Sequence, residues 1–169
     1  MRDEVDRLVE AWQRERPDLD VTPMAVLSRV TRLAKHLDRA RRQSFGRHGL
    51  DAAEFDVLAA LRRAGPPYEL TPGALMTQTM VSSGTVTHRV DKLQARGLVR
   101  RRPDPTDGRV VRVRLSARGR TRVDAALADL LDREQALLAG LSDRQRASLA
   151  RLLRTVVAPF DSAGRGAAF

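Results

Sequence analysis

A mainly α fold with a small β-ribbon is predicted by three features of this 169-residue sequence. Hydrophobic residues make up 42% of it but aromatics only 4%, so the core must be built from Leu, Val and Ala, as in packed helices. Several segments carry their apolar residues at intervals of three and four, the signature of amphipathic helices. One region breaks that rhythm. The turn Pro103-Asp104-Pro105-Thr106-Asp107-Gly108-Arg109 separates Leu98-Val99 and Arg100, Arg101 and Arg102 from Val111, Val113 and Leu115 alternating with Arg112 and Arg114. That period of two suits a half-buried hairpin. A hairpin placed just after a polar helix predicts a winged helix-turn-helix, and first and last helices with more apolar face than so small a domain can cover predict N- and C-terminal dimerisation helices.

Val5, Leu8, Val9 and Trp12 fall at helical spacing before Pro17, which predicts an N-terminal extra helix over residues 1–16. Thr22 is expected to cap a second helix with Pro23 in its first turn. The stripe Val26, Leu27, Val30, Leu33 and Leu37 carries it toward Gly46 and Gly49, and residues 22–46 are read as a dimerisation helix. Asp51 and Glu54 have capping-box spacing ahead of Phe55, Leu58 and Leu61. Gly65-Pro66-Pro67 ends that helix, Tyr68-Glu69-Leu70 allows a minimal strand, and Thr71-Pro72 restarts helix. A further helix runs from about Ser82 to Ala95 and stops at Gly97, and residues 51–115 form the winged DNA-binding domain. Ser116 opens a long helix, the Ser142/Gln145 pair opens the last, and Pro159 is expected to stop it. Residues 116–160 are thus C-terminal dimerisation helices, followed by a disordered tail over 161–169.

The formal net charge of +10 calls for a polyanionic partner. Its distribution is more specific, because residues 96–122 hold ten arginines against Asp104 and Asp107 alone. The excess charge is therefore concentrated on the hairpin, where it can neutralise phosphates. Zero cysteines exclude disulfides and thiolate chemistry. His36, His48 and His88 occur singly, without carboxylates at ligand spacing, and no Gly-x-Ser-x-Gly elbow or P-loop is present, so an enzyme is not expected. The mixed charges of Met1-Arg2-Asp3-Glu4 and the lack of an apolar run of about 18 residues argue for a cytoplasmic protein without a membrane partner.

The helix from Ser82 would present Ser82, Ser83, Thr85, Thr87, His88, Arg89 and Lys92 to a major groove, with Val86, Val90 and Leu93 facing inward. Arg109 would reach into a narrow minor groove from the hairpin tip, oriented by Asp107 or Asp104. Four blocks together resemble the MarR family of winged-helix regulators: Val81 to Leu93, Arg96 to Arg101, Asp104 to Arg109, and Leu115 to Gly119. The resemblance covers residues 24–157. It implies a homodimer that binds double-stranded DNA at a palindromic operator and acts as a ligand-responsive regulator, most simply a repressor. A non-specific architectural nucleic-acid-binding protein is the alternative that basic charge alone would support.

The N-terminal helix with Trp12 is similar to that of family members responding to urate and related organic anions. The resemblance implies a ligand site made of Trp12, Asp56, Arg89 and Arg101, for a urate-like or carboxylate effector; no other cofactor or metal is implied. Arginines can hold the anion, the indole can wall it, and Asp56 can hold an arginine in the empty site. Trp12 as a packing anchor and Asp56 as part of a structural ion pair are the alternatives.

Overall fold

Charge as well as apolar contact joins the first two helices. The computed structural model describes residues 2–104, 107–108 and 110–164. Helix α1, Glu4–Glu15, is opened by a capping box between Asp3 and Asp6 and buries Val5. Arg29 of α2, Thr22–Arg47, reaches back to Asp3 and Asp6 at 2.9 and 2.6 Å, and Arg32 meets Glu4 at 2.5 Å. These pairs are exposed and fix the orientation of α1 more than they stabilise it.

Two expectations for α2 change. Thr22 is its first residue and not its cap; Val21 holds the cap position without a side-chain bond, and Asp20 before it accepts from the Thr22 backbone N–H at 3.0 Å and from its hydroxyl at 2.7 Å. The helix also passes through Gly46 to Arg47, and the turn falls on Gly49 instead.

Helix α3, Ala52–Arg63, has both halves of the Asp51/Glu54 capping box and is the most buried element. Its Phe55 stacks on Phe45 of α2 with ring centroids 3.9 Å apart. Strand β1, Glu69–Leu70, precedes α4, Pro72–Thr79, whose N-terminus is capped by the Thr71 hydroxyl. Helix α5, Ser83–Ala95, ends at Gly97, which takes a left-handed φ of 69° while Leu98 N–H returns to the Leu93 carbonyl. That geometry favours a residue without a Cβ.

Strands β2, Val99–Pro103, and β3, Val111–Leu115, pair antiparallel with Val99 opposite Leu115 and Pro103 opposite Val111. The sheet order is β1-β3-β2. Val99, Val113 and Leu115 point into a core shared with Val57, Leu58, Leu61, Leu75, Val86, Val90 and Leu93. Helix α6, Ala117–Leu137, begins against this layer at Gly119, where there is no room for a side chain.

The chain divides into a unit over Met1–Leu130 and a second over Leu131–Phe169. In the second, Ser142 and Gln145 form the expected capping box for α7, Asp143–Gly164. Pro159 does not stop this helix. A proline removes its own N–H and its ring crowds the carbonyl four residues back, on Thr155, but that residue is exposed, so the carbonyl can tilt outward to water. Helix therefore replaces the first residues of the expected tail, and residues 165–169 lie outside the described residues. The α7 stripe of Leu152, Leu153, Val156 and Val157 is exposed, as are Leu8, Val26, Leu27 and Val30 in the first unit.

Candidate nucleic-acid interface

The turn between α4 and α5 is set by Met80, which ends α4 in the left-handed region at φ 52° and stands 91% exposed. Helix α5 then starts at Ser82 without a side-chain cap on its first amides and without an acidic residue in its first turn. The Ser82 hydroxyl is engaged with that of Thr85 at 3.0 Å. An uncapped N-terminus keeps backbone N–H donors and the positive end of the helix dipole available to an anion such as a DNA phosphate.

Val86, Val90 and Leu93 are buried, which rolls Ser83, Gly84, Thr87 and His88 outward. These short side chains allow close approach to a groove. Arg89 is half-buried on the flank of the helix. Lys92 is drawn away from the outward row: its ammonium lies 2.9 Å from Asp51 and 3.2 Å from Glu54 at the start of α3. Those carboxylates hold its pKa above the ordinary lysine value.

Glu54 is the centre of this anchor and is only 3% exposed. It accepts from Arg96 at 2.6 Å and from the Asp51 backbone N–H at 3.0 Å. Burial pushes its carboxyl up, but the bonds from Arg96, Asp51 and Lys92 outweigh burial and hold it below the ordinary value of 4.5. Asp51 follows the same logic: burial raises it, the Glu54 backbone N–H and Lys92 lower it, and the net direction is down. Sequence reading identifies Asp51 and Glu54 as a cap alone; their partners on α5 lie some forty positions away, and no local pattern marks them.

The hairpin base is tied to the same helix. Arg101 meets Asp91 at 2.5 Å and the Gln94 side chain at 3.4 Å. Toward the tip, Asp104 is buried and paired with Arg112, and its Oδ1 accepts from the Asp107 backbone N–H at 3.3 Å. Asp104 N–H donates to Val110 and Val110 N–H to Asp107, so the carboxylate organises the turn from within. Asp107 and Gly108 are exposed. Arg109, the expected minor-groove probe, lies outside the described residues.

The four residues implied as a ligand site are placed as follows. Trp12 is 45% exposed on α1. Asp56 on α3 is 3.3 Å from Arg41 of α2, so the arginine it holds is Arg41 and not Arg89. Arg89 and Arg101 sit on α5 and β2. Arg101 also borders a cavity at the base of the wing together with Tyr68, Arg100 and Arg120. Among the described residues no group of three or more acidic or histidine side chains could hold a metal, and no helix is long and apolar enough to cross a membrane.

Comparison with known proteins points the same way as this geometry. A family profile described as MarR family matches residues 48–110. The chain is 37% identical over 132 residues to the HTH-type transcriptional regulator PecS of Dickeya dadantii, covering 78% of this chain and 80% of that protein. A mutant MarR from E. coli complexed with operator DNA is 28% identical, covers 82% of this chain and 99% of its own, and superposes with a TM-score of 0.65. BpsR of Bordetella bronchiseptica, whose structure concerns regulation of DNA binding by 6-hydroxynicotinic acid, is 28% identical over 78% of this chain and 91% of its own, with a TM-score of 0.63.

Proposed function

The chain belongs to the MarR family of transcriptional regulators, and on that premise we propose that it acts as a homodimeric repressor, binding a palindromic operator and releasing it to a small organic anion. The observation that carries the DNA reading is α5: its capless N-terminus and the outward row Ser83, Gly84, Thr87 and His88 are backed by a fully buried apolar face. A helix so presented suits the major groove, with Ser82, Thr85, Arg89 and Lys92 beside it and the Asp107–Arg109 tip reaching the adjacent minor groove.

Residues 51–115 are the DNA-reading part in this proposal, residues 22–46 and 116–160 are the dimerisation helices, and residues 1–16 are an N-terminal extra helix. The apolar stripes of α2 and α7, exposed in a single chain, support that assignment. A two-fold dimer would cover them and set two recognition helices about 34–36 Å apart, one turn of DNA.

The organic anion is supported by the BpsR relative and by the arginines at Arg89 and Arg101. Anion binding at Arg101 would compete with Asp91 and so shift the wing against α5. Trp12 and Asp56 complete the proposed urate-like or carboxylate site.

Selection of bound sequences from random duplexes, followed by competition titration, tests the DNA reading. A regulator prefers one palindrome by about a thousandfold or more over random duplex. A non-specific architectural binder would show little preference and a steep salt slope, and that outcome replaces the proposal. Release of the operator by urate, 6-hydroxynicotinate or aconitate at millimolar concentration or below tests the effector.

A further inference from the structure

The two faces of the wing are chemically unlike. Alternation along the strands puts Val99, Arg101, Val113 and Leu115 on the face toward the core and α5, where Arg101 pairs with Asp91. Arg100, Arg102, Arg112 and Arg114 share the opposite face, with Arg100 directly across from Arg114 and Arg102 directly across from Arg112. Like charges in opposed positions destabilise a strand pair. Two are relieved internally, Arg114 by Glu69 at 3.5 Å and Arg112 by Asp104. Arg100 and Arg102 have no ion-pair partner among the described residues.

These side chains border a cavity of about 660 Å³ at the base of the wing, lined by Tyr68, Arg100, Arg102, Arg114, Ser116 and Arg120 among others. Tyr68 is held at a left-handed φ of 63°, and the guanidiniums of Arg62 and Arg120 lie over its ring at 5.2 and 5.6 Å. Arg62 is committed to Asp124 at 2.8 Å, whereas Arg120 has no carboxylate partner among the described residues. The α6 N-terminus beside the cavity is capped by Ser116, which accepts from Gly119 N–H at 2.9 Å, so the guanidiniums and not the helix end supply the attraction.

We propose that this cavity is a binding site for a multiply charged phosphate, held by Arg100, Arg102 and Arg120. Three uncompensated guanidiniums match an anion of two or more charges; a monocarboxylate would leave most of the repulsion in place. Their planar forks suit phosphate oxygens bidentately. The volume is that of a small-molecule site. Arg100, Arg102 and Arg114 lie on the wing face opposite α5, while Arg101, paired with Asp91 of α5, also borders the cavity; its occupancy would brace the two strands of the wing together. The phosphate can be a free polyphosphate or part of a nucleotide.

Calorimetric titration of the full chain with inorganic pyrophosphate and with ADP, in chloride buffer of physiological ionic strength, tests the assignment. Saturable binding of one anion per chain is expected, weakened about tenfold or more in the R100Q/R120Q double variant by loss of two charge-assisted contacts. The charge-matched R39Q/R63Q variant, altered at exposed positions outside the cavity lining, should bind within about twofold of the parent. Tighter binding of ADP assigns the phosphate to a nucleotide; equal binding assigns it to a free polyphosphate. Absence of saturable binding at about 1 mM, or equal weakening in both variants, overturns the proposal. So does an operator affinity that falls in R100Q/R120Q beyond its charge-matched control without added anion, since the arginines would then belong to the DNA footprint. A chain that binds pyrophosphate but no specific operator leaves this site standing and removes only the repressor reading.

Discussion

Glu54 at the start of α3 and Arg96 just past the end of α5 meet at 2.6 Å, and this pair, with its carboxylate buried, anchors the back of the recognition helix to the core. Arg96 also donates to the Gly49 carbonyl that ends the turn after α2. Through Arg96, the turn after α2 and the end of α5 are both tied to a carboxylate on α3. Among the described residues the opposite end of α5 has no such tether, which leaves its first turn available to a ligand.

Replacing Glu54 with Gln keeps the shape but removes the charge that offsets Arg96 and Lys92. A destabilisation of about 2 kcal/mol is expected, below the full value of a buried pair because both cations are partly exposed. Urea unfolding with an unchanged m-value measures it. A change under about 0.5 kcal/mol, typical of surface positions, would show that the carboxylate is not an anchor.

The same group predicts an acid dependence. Its folded pKa is depressed, so the unfolded state binds protons more readily, and stability falls as pH falls. The contribution is complete above the ordinary value of 4.5 and is lost on descending through the lower folded value. The stability gap between the parent and E54Q should therefore narrow below pH 4.5. A gap that stays constant through that range contradicts the anchor.

Gly119 is required by close approach. A Cβ there would overlap the Leu98 carbonyl oxygen and stand 2.9 Å from Leu115 Cδ1, and a backbone oxygen cannot swing aside. Gly119→Ala should cost about 3 kcal/mol or more and lower the melting temperature, despite the better helix propensity of Ala. Gly84→Ala, with nothing within 4 Å of the added atom, should be neutral or stabilising by up to about 1 kcal/mol. Equal melting temperatures for the two would refute the contact.

The Arg101–Asp91 bridge orients the wing against α5. Arg101→Gln should weaken operator binding by about tenfold, the scale of one misplaced contact, with an unchanged salt slope because no phosphate contact is lost. The swapped pair D91R/R101D should recover part of it. Arg109→Ala should also weaken binding, through loss of the tip itself.

Self-association is expected through the stripes that a single chain leaves bare. Leu152→Glu with Val156→Glu places charges in the α7 stripe, and sedimentation should then shift from dimer to monomer. A parent chain that sediments as a monomer at micromolar concentration overturns the dimer.

Local chemistry was legible in the sequence. The Asp51/Glu54 and Ser142/Gln145 boxes, the inward positions of Val86, Val90 and Leu93, and the alternation of the wing each depend on residues within one turn or strand. The ends of α2 and α7 were not, because the Thr22 hydroxyl is taken by Asp20 and an exposed helix tolerates Pro159. The one-dimensional pattern by itself determined element type, order and the site of the charge, since these follow from periodicity and composition. Only the tertiary structure decided which charges are spent: Lys92 on Glu54, Asp56 on Arg41, Asp104 on Arg112, and Arg100 and Arg102 on none of the described residues. Ion pairing depends on distances across the fold, and a guanidinium has no sequence mark of the carboxylate that will meet it.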